Sequence, residues 1–171
     1  MIVIGVDPGV AATGYGVVVR RDGDALSLLE CGVIRTDSKD QLPDRLRTIY
    51  EGVQEVLARH SPDVMAVEGV FYGRNVRTTV ILGHARGAVL LAGTLSGLRV
   101  AEYAPAEVKN AVTGTGRATK EQMQYMVQRL LRLKKPPHPA DAADGVAVAL
   151  CHCNADGLAG KLAALGVSRM T

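Results

Sequence analysis

Two acidic side chains follow directly on short apolar runs of the sequence. Asp7 comes after residues 2–6, and Glu68 comes after residues 64–67. Both runs are apolar and contain valine or isoleucine, which is typical of strands buried on both faces of a sheet. Pro8 or Gly69 then stops the strand. A carboxylate held at the rim of a sheet could bind a cation, although an aspartate before Pro-Gly could also simply initiate a turn.

Two further acids, Asp141 and Asp144, lie three residues apart at the start of a predicted helix. This spacing places both side chains on one helix face. Because the helix dipole favours acids in the first turn, Asp141 alone is also explained by stabilisation of the helix end. Asp144 borders the apolar stripe at residues 146–150 and is therefore expected to face the sheet edge.

Four carboxylates at one edge of a sheet would repel each other unless cations neutralised them. Oxygen ligands favour Mg²⁺ or Mn²⁺ over zinc. Two such ions about 3.5–4 Å apart could hold the attacking and leaving oxygens of a phosphodiester displacement. The sequence therefore predicts a site with two metal ions, Mg²⁺ or a substituting Mn²⁺, that hydrolyses phosphodiesters.

The run Cys151-His152-Cys153 also contains potential metal ligands. Neighbouring residues on a helix point to different faces, and the chain has no second cysteine pair, so we predict buried side chains near a helix end. Three cysteines, an odd number, argue against a disulfide framework and predict a reducing, cytoplasmic environment.

The formal net charge of +3 conceals two halves of opposite sign. Residues 22–68 contain ten acids and five bases, whereas residues 69–139 contain eleven bases and three acids. Such a segregated basic half indicates a polyanionic partner such as nucleic acid.

The elements that must position the acids follow from hydrophobic periodicity and turn residues. One α/β domain over residues 1–153 is predicted, followed by a tail at 154–171 that is partly disordered. The predicted strands are residues 2–6, 15–20, 25–36, 64–67 and 98–103. The predicted helices are residues 40–60, 76–95 and 120–133, and a last helix from Ala140 to about residue 153. A short helical turn is predicted at residues 106–112. Since the fourth strand follows a helix, it should lie parallel to the first, with Asp7 and Glu68 at the same edge.

The predicted helix at residues 76–95 is apolar nearly all round and carries several small residues. Arg77, His84 and Arg86 interrupt it, which argues against a membrane span. A helix that is apolar on more than one face belongs to a core or to a subunit interface.

The sequence resembles the RuvC family of bacterial Holliday-junction resolvases, within the ribonuclease H-like superfamily. The matching stretches occur in family order and with family spacing, at residues 7–17, 67–79, 82–87, 103–120 and 141–150. The resemblance implies a mixed five-stranded sheet flanked by helices, with three antiparallel strands followed by parallel ones. It also implies a metal-dependent endonuclease that cuts four-way DNA junctions in recombination and repair.

The resemblance further assigns residues. It implies a metal-binding catalytic tetrad of Asp7, Glu68, Asp141 and Asp144, with Lys120 assisting at the scissile phosphate. The implied DNA contacts are Phe71, which stacks near the crossover, and Arg74, Asn75, Arg77, Lys109, Arg117 and Lys120. The alternative for Phe71 is hydrophobic packing. The family usually has glutamine at His84 and alanine at Gly145, and we expect the glycine to loosen the turn that carries Asp144.

Symmetric cleavage of a junction needs two active sites, which predicts a twofold homodimer. The resemblance also implies a branch-migration complex of RuvA and RuvB as a partner. Two other hypotheses remain: a junction-binding module without catalysis, and a fragment of an actin-like or sugar-kinase-like ATPase. Retention of all four acids argues against the first, and the lack of a second phosphate loop argues against the second.

Overall fold

The computed structural model describes residues 1–21, 25–69 and 76–164, with side-chain environments as far as residue 157. Its strands are β1 (Ile2–Asp7), β2 (Ala12–Arg20), β3 (Leu26–Arg35), β4 (Val64–Glu68) and β5 (Arg99–Tyr103). Its helices are α1 (Leu42–His60), α2 (Val76–Leu95), α3 (Pro105–Thr113), α4 (Lys120–Leu130) and α5 (Ala140–Ala164).

The strands form one sheet in the order β3-β2-β1-β4-β5. β1 pairs with β2 and β2 pairs with β3 in antiparallel fashion, whereas β1, β4 and β5 run parallel. The predicted mixed sheet and the parallel pairing of the first and fourth strands are confirmed. Buried valines and isoleucines fill β1 and β4, as expected for central strands that are covered on both faces.

Helices cover the two faces of the sheet separately. On one face, side chains of α3, α4 and α5 pack into a core with Val3, Val18 and Ala66. On the other face, α1 and α2 pack against Ile4 and Met65. α5 is almost completely buried from Ala142 to Cys153, which makes it the central helix of its layer.

α5 approaches the sheet closely because glycines line the contact. A Cβ atom on Gly5 would lie 2.2 Å from the backbone nitrogen of Ala149, and one on Gly14 would lie 1.8 Å from the carbonyl oxygen of Asp141. Gly145 makes the reciprocal contact from the helix, since its Cβ would lie 2.5 Å from the Cα of Tyr15. The expectation that Gly145 loosens this turn is wrong, because the residue is packed tightly inside a continuous helix.

Three predicted boundaries differ from the structure. β2 begins at Ala12 and not at residue 15, because the Thr13 hydroxyl and the Gly9 backbone hydrogen-bond to each other and close the preceding turn. The turn at 106–112 is a full helix, α3. α4 ends at Leu130 and not at residue 133, because Arg132 takes a left-handed conformation with φ of 51°.

The predicted helix end near residue 153 is also wrong, since α5 continues to Ala164. Long-range contacts hold this extension. Asn154 donates a hydrogen bond to the carbonyl of Ala111, and Arg20 pairs with Asp156 at 3.1 Å. Residues 22–24, which lie between the predicted strands at 15–20 and 25–36, and residues 165–171 lie outside the described part of the chain.

Within the described residues, α2 is the one helix whose length and apolar composition would allow it to cross a membrane. Its Ala85, Val89 and Ala92 are buried against the sheet and α1, and Arg86 forms an ion pair with Glu102 of β5. α2 is therefore packed as a core helix with one face uncovered.

Candidate active site

The parallel pairing of β1 and β4 brings the two strand-end acids together. Val6 lies opposite Val67, so the next residues, Asp7 and Glu68, end adjacent strands at the same edge of the sheet. The chain then leaves the sheet after each acid, through the turn that follows Asp7 and through Gly69, which follows Glu68. The backbone N–H of Gly69 donates to the carbonyl of Tyr103 at 2.8 Å, which fixes the end of β4 against β5.

α5 brings the other two acids to this edge through the glycine contacts. Gly14 lies opposite Asp7 in the β1–β2 pair and also touches the backbone of Asp141. The first turn of α5 is thereby held one strand away from Asp7. Asp144 follows one helical turn later and faces the end of the sheet.

A cavity of about 220 Å³ opens at this position. Three of the four predicted acids line it, and two lysines face them across it. The full lining consists of Asp7, Glu68, Pro105, Val108, Lys109, Lys120, Met123, Asp144 and Ala147. Asp141 is not among these lining residues, but its charge still acts on Asp7, Asp144 and Lys120. The structure therefore places Asp141 beside the cavity.

Burial and mutual repulsion make the acids reluctant to ionise. Burial, followed by the charges of Asp7 and Asp144, raises the pKa of Glu68 to about 8. Burial and the Asp144 charge raise the pKa of Asp7 to about 6. Burial also raises the pKa of Asp144, and this outweighs the opposing effect of Lys120. A bound cation would offset both the burial and the repulsion, and would therefore favour the ionised form of these carboxyl groups.

Lys120 lies beside the acids at the cavity. It is the first residue of α4, whose start is capped: the Gln122 side chain accepts from the Thr119 N–H at 2.9 Å, and the Gln122 N–H donates to the Thr119 hydroxyl oxygen. The Lys120 ammonium donates to Asp144 at 3.2 Å, and the Asp144 carboxylate raises the pKa of the lysine. The capped helix start therefore presents a cation at the mouth of the cavity.

The donor set fits hard divalent cations, because carboxylate oxygens line the cavity and their raised pKa values show that these buried groups lack enough positive charge nearby to favour ionisation. Within residues 1–21, 25–69 and 76–164, no three histidine, cysteine, aspartate or glutamate side chains converge as a close metal-binding group. The carboxylates surround the cavity and do not meet at one point.

The raised pKa values predict that the metal-free protein loses stability as pH rises. Between about pH 4 and pH 8 the unfolded chain releases protons that the folded Glu68 and Asp7 retain, so unfolding becomes more favourable across this window. Thermal unfolding in a chelator between pH 5 and 9 measures the effect. Glu68→Gln should flatten the profile, and equal slopes for the two proteins would contradict the prediction.

The predicted DNA-binding residues do not all lie at the cavity. Lys109 lines the cavity from α3, and Arg77 and Arg117 are exposed at the start of α2 and before α4. Phe71, Arg74 and Asn75 lie outside the described residues.

Sequence reasoning missed the apolar wall of the cavity, formed by Pro105, Val108 and Met123. Their helical spacing marks them as core residues but does not show that this core borders the acids.

The Cys151-His152-Cys153 run is buried, as predicted. His152 Nδ1 lies 2.7 Å from the Tyr103 hydroxyl, and burial lowers the pKa of the histidine, so it is kept neutral. This contact connects α5 to the end of β5, next to Glu68. The run therefore stabilises the packing of α5.

Comparison with known proteins supports a specific family. The model of the family described as crossover junction endodeoxyribonuclease RuvC matches residues 3–152. The protein of that name from Desulforamulus reducens is 47% identical over 152 residues, which cover 89% of this chain and 93% of the relative. The one from Shewanella amazonensis is 50% identical over 151 residues, covering 88% and 86%.

Comparison with solved structures indicates the same family as comparison with the sequence relatives. Thermus thermophilus RuvC superposes with a TM-score of 0.82 at 37% identity and covers 98% of both chains. A T. thermophilus RuvC in complex with Holliday junction substrate gives the same TM-score at 34% identity. A yeast mitochondrial Holliday junction resolvase shares the fold, with a TM-score of 0.71 at 10% identity over 95% of this chain and 83% of that one. The fold is ribonuclease H-like, and the chain belongs to the RuvC family of crossover junction endodeoxyribonucleases.

Proposed function

We propose that the protein resolves four-way (Holliday) DNA junctions in homologous recombination and DNA repair. It nicks two strands of like polarity symmetrically by hydrolysis, leaving 5′-phosphate and 3′-hydroxyl ends. The observation that carries this proposal is the cavity in which Asp7, Glu68 and Asp144 face Lys109 and Lys120. Carboxylates that could hold cations lie there beside ammonium groups that could hold phosphates.

The acids are proposed to hold two Mg²⁺ ions per subunit, with Mn²⁺ able to substitute. Bound Mg²⁺ would supply a Lewis acid that stabilises the charge developing on the phosphate oxygens. Asp7 and Glu68 would hold it from the rigid strand ends, and Asp141 and Asp144 would approach from α5. Because the pKa values of Asp7 and Glu68 are raised, these ligands must release protons when they bind the ion.

The two lysines are proposed to orient the DNA strand. Lys109 is half-buried on α3, and Lys120 extends from the start of α4, so they reach the cavity from two sides. Lys120 pairs with Asp144 and lines the cavity into which the scissile phosphate is proposed to enter. It can therefore neutralise charge on that phosphate. Phe71, Arg74, Asn75, Arg77 and Arg117 are proposed as further contacts to the junction.

A homodimer is part of the proposal, with the uncovered face of α2 as the interface. One stripe along this helix is exposed: Val76 at 74%, Val80 at 53%, Leu91 at 53% and Leu95 at 66%. Gly83 and Gly87 lie between the two pairs and have open space around them, which would let a second helix approach closely. His84, the departure from the usual family residue, is also exposed at the centre of this stripe.

Leu91→Asp should convert the dimer to monomers, because it places a charge in the apolar stripe without disturbing the buried face. Sedimentation measures the change, and thermal unfolding checks that the fold is retained. Glu51→Lys, an exposed change on α1, serves as the control that should remain dimeric. A dimeric Leu91→Asp variant would exclude this face as the interface.

We also propose that the protein acts on chromosomal DNA in the cytoplasm, together with the RuvA and RuvB branch-migration complex that the family implies.

The deciding experiment compares a synthetic four-way junction with linear duplex of the same sequence, each incubated with the protein and Mg²⁺. Paired symmetric nicks in the junction alone are expected. Equal cutting of the duplex would indicate a general nuclease, and binding without cutting would favour a non-catalytic junction module. ATP hydrolysis without cutting would favour the ATPase alternative.

A further inference from the structure

Four basic side chains lie between the start of α4 and the start of α5 and take no part in the cavity. Arg129, Arg132, Lys134 and Lys135, here called the basic turn, are all exposed. The sequence contains no acidic residue between Glu121 and Asp141. In the part of the chain that the structure describes, none of the four forms an ion pair. Their charges therefore face solvent without a partner.

The backbone of this segment is held in one shape. The Gln128 side-chain amide donates to the carbonyls of Leu133 and Lys134, both at 3.3 Å, and the Leu133 N–H donates to the carbonyl of Gln128 at 2.9 Å. Arg132 takes the left-handed conformation that turns the chain. Leu131 and Pro137 are buried and anchor the two sides. Such preorganisation lowers the entropy lost when a ligand binds.

The basic turn is connected to the active site at both of its ends. α4 begins at Lys120, which contacts Asp144, and its far end lies about 15 Å away along the helix axis. The chain then returns within nine residues to Ala140, next to Asp141. The basic turn therefore belongs to the helical layer that borders the cavity, and its Arg129 lies about one helix length from Lys120.

We propose that the basic turn binds the phosphate backbone of one duplex arm of the junction, and this inference rests on the proposed function. A strand of duplex DNA presents one phosphate about every 3.4 Å of helix axis, so 15 Å corresponds to about four to five base pairs from the scissile phosphate. Contacts of this kind hold the arm in register with the cavity and carry no sequence information.

The test uses Lys134→Gln/Lys135→Gln, because both side chains are exposed and their loss leaves the buried anchors intact. Binding to a four-way junction is measured in a chelator over a range of salt concentrations. Loss of two phosphate contacts should reduce the slope of log K against log salt by about 1.8. Arg21→Gln/Arg99→Gln removes the same charge at the opposite edge of the sheet and should leave the slope unchanged.

A second measurement locates the contact on the DNA. Neutral methylphosphonate linkages about four to five base pairs from the scissile phosphate should weaken binding of the unchanged protein and have no further effect on Lys134→Gln/Lys135→Gln.

Equal salt slopes for the two variants would overturn the inference. It would also be overturned if methylphosphonates weakened both proteins alike, since the lysines would then serve another polyanion, such as an acidic protein. Failure of the unchanged protein to bind or cut junctions would instead overturn the proposed function.

Discussion

Asp7→Asn is expected to abolish junction cutting while leaving junction binding intact. Asp7 ends the central strand, pairs with Gly14 of β2 and lines the cavity together with Asp144 and Lys120. Loss of outer-shell partners alone typically costs a metal site 10–100-fold, so loss of a direct ligand should reduce the cleavage rate by more than about 100-fold. Binding should persist, because phosphate contacts come from the lysines.

The same variant should be more stable than the unchanged protein when metal is absent. The carboxylate of Asp7 raises the pKa of Glu68, which shows that the folded state bears their repulsion. An amide of the same shape removes it, so thermal unfolding in a chelator above pH 8 should shift upward.

Cleavage of a labelled junction, binding in a chelator and thermal unfolding together check this prediction. Asp144→Asn should behave in the same way, whereas Glu51→Gln, which alters an exposed carboxylate on the other face of the sheet, should change neither activity nor stability. Asp7 would be a structural residue and not a ligand if binding and cutting were lost together.

Gly14→Ala should impair both folding and cleavage, although it adds only one methyl group. That group would lie 1.8 Å from the carbonyl oxygen of Asp141, so α5 must move away from the sheet. Overpacking of this kind costs about 1–3 kcal/mol of unfolding free energy. Because the shift occurs at the turn that bears Asp141 and Asp144, the cleavage rate should fall even in the fraction that folds.

Urea unfolding measures the first effect, and cleavage per folded molecule measures the second. Gly116→Ala is the matched control, since its added Cβ would meet Ala106 at an ordinary contact distance of 3.5 Å. Wild-type cleavage by Gly14→Ala would mean that the position of Asp141 is unimportant for the reaction.

The sequence was sufficient to predict that Asp7 and Glu68 end neighbouring strands at one edge of the sheet. Strand runs that end in Asp7 and Glu68, separated by one helix, leave little choice but a parallel pair with both carboxylates at one end. Residue spacing likewise placed Asp141 and Asp144 on one helix face. These features are local patterns combined with one rule of topology.

Distances between elements could not be predicted in the same way. Periodicity shows which face of α5 is buried, but not that the helix lies against glycines, so helix propensity alone predicts that Gly145 loosens the helix. The helix end was misplaced because its extension depends on Arg20 and Ala111, which are far away in sequence. The apolar wall of the cavity was missed for the same reason.

The glycine-lined contact between α5 and the first two strands also has a consequence for the order of events during synthesis. Asp7 is synthesised more than 130 residues before Asp141 and Asp144. A nascent chain that ends before α5 lacks two of the four candidate site carboxylates, whatever else it has folded. The candidate active site is therefore complete only after α5 has docked against these glycines.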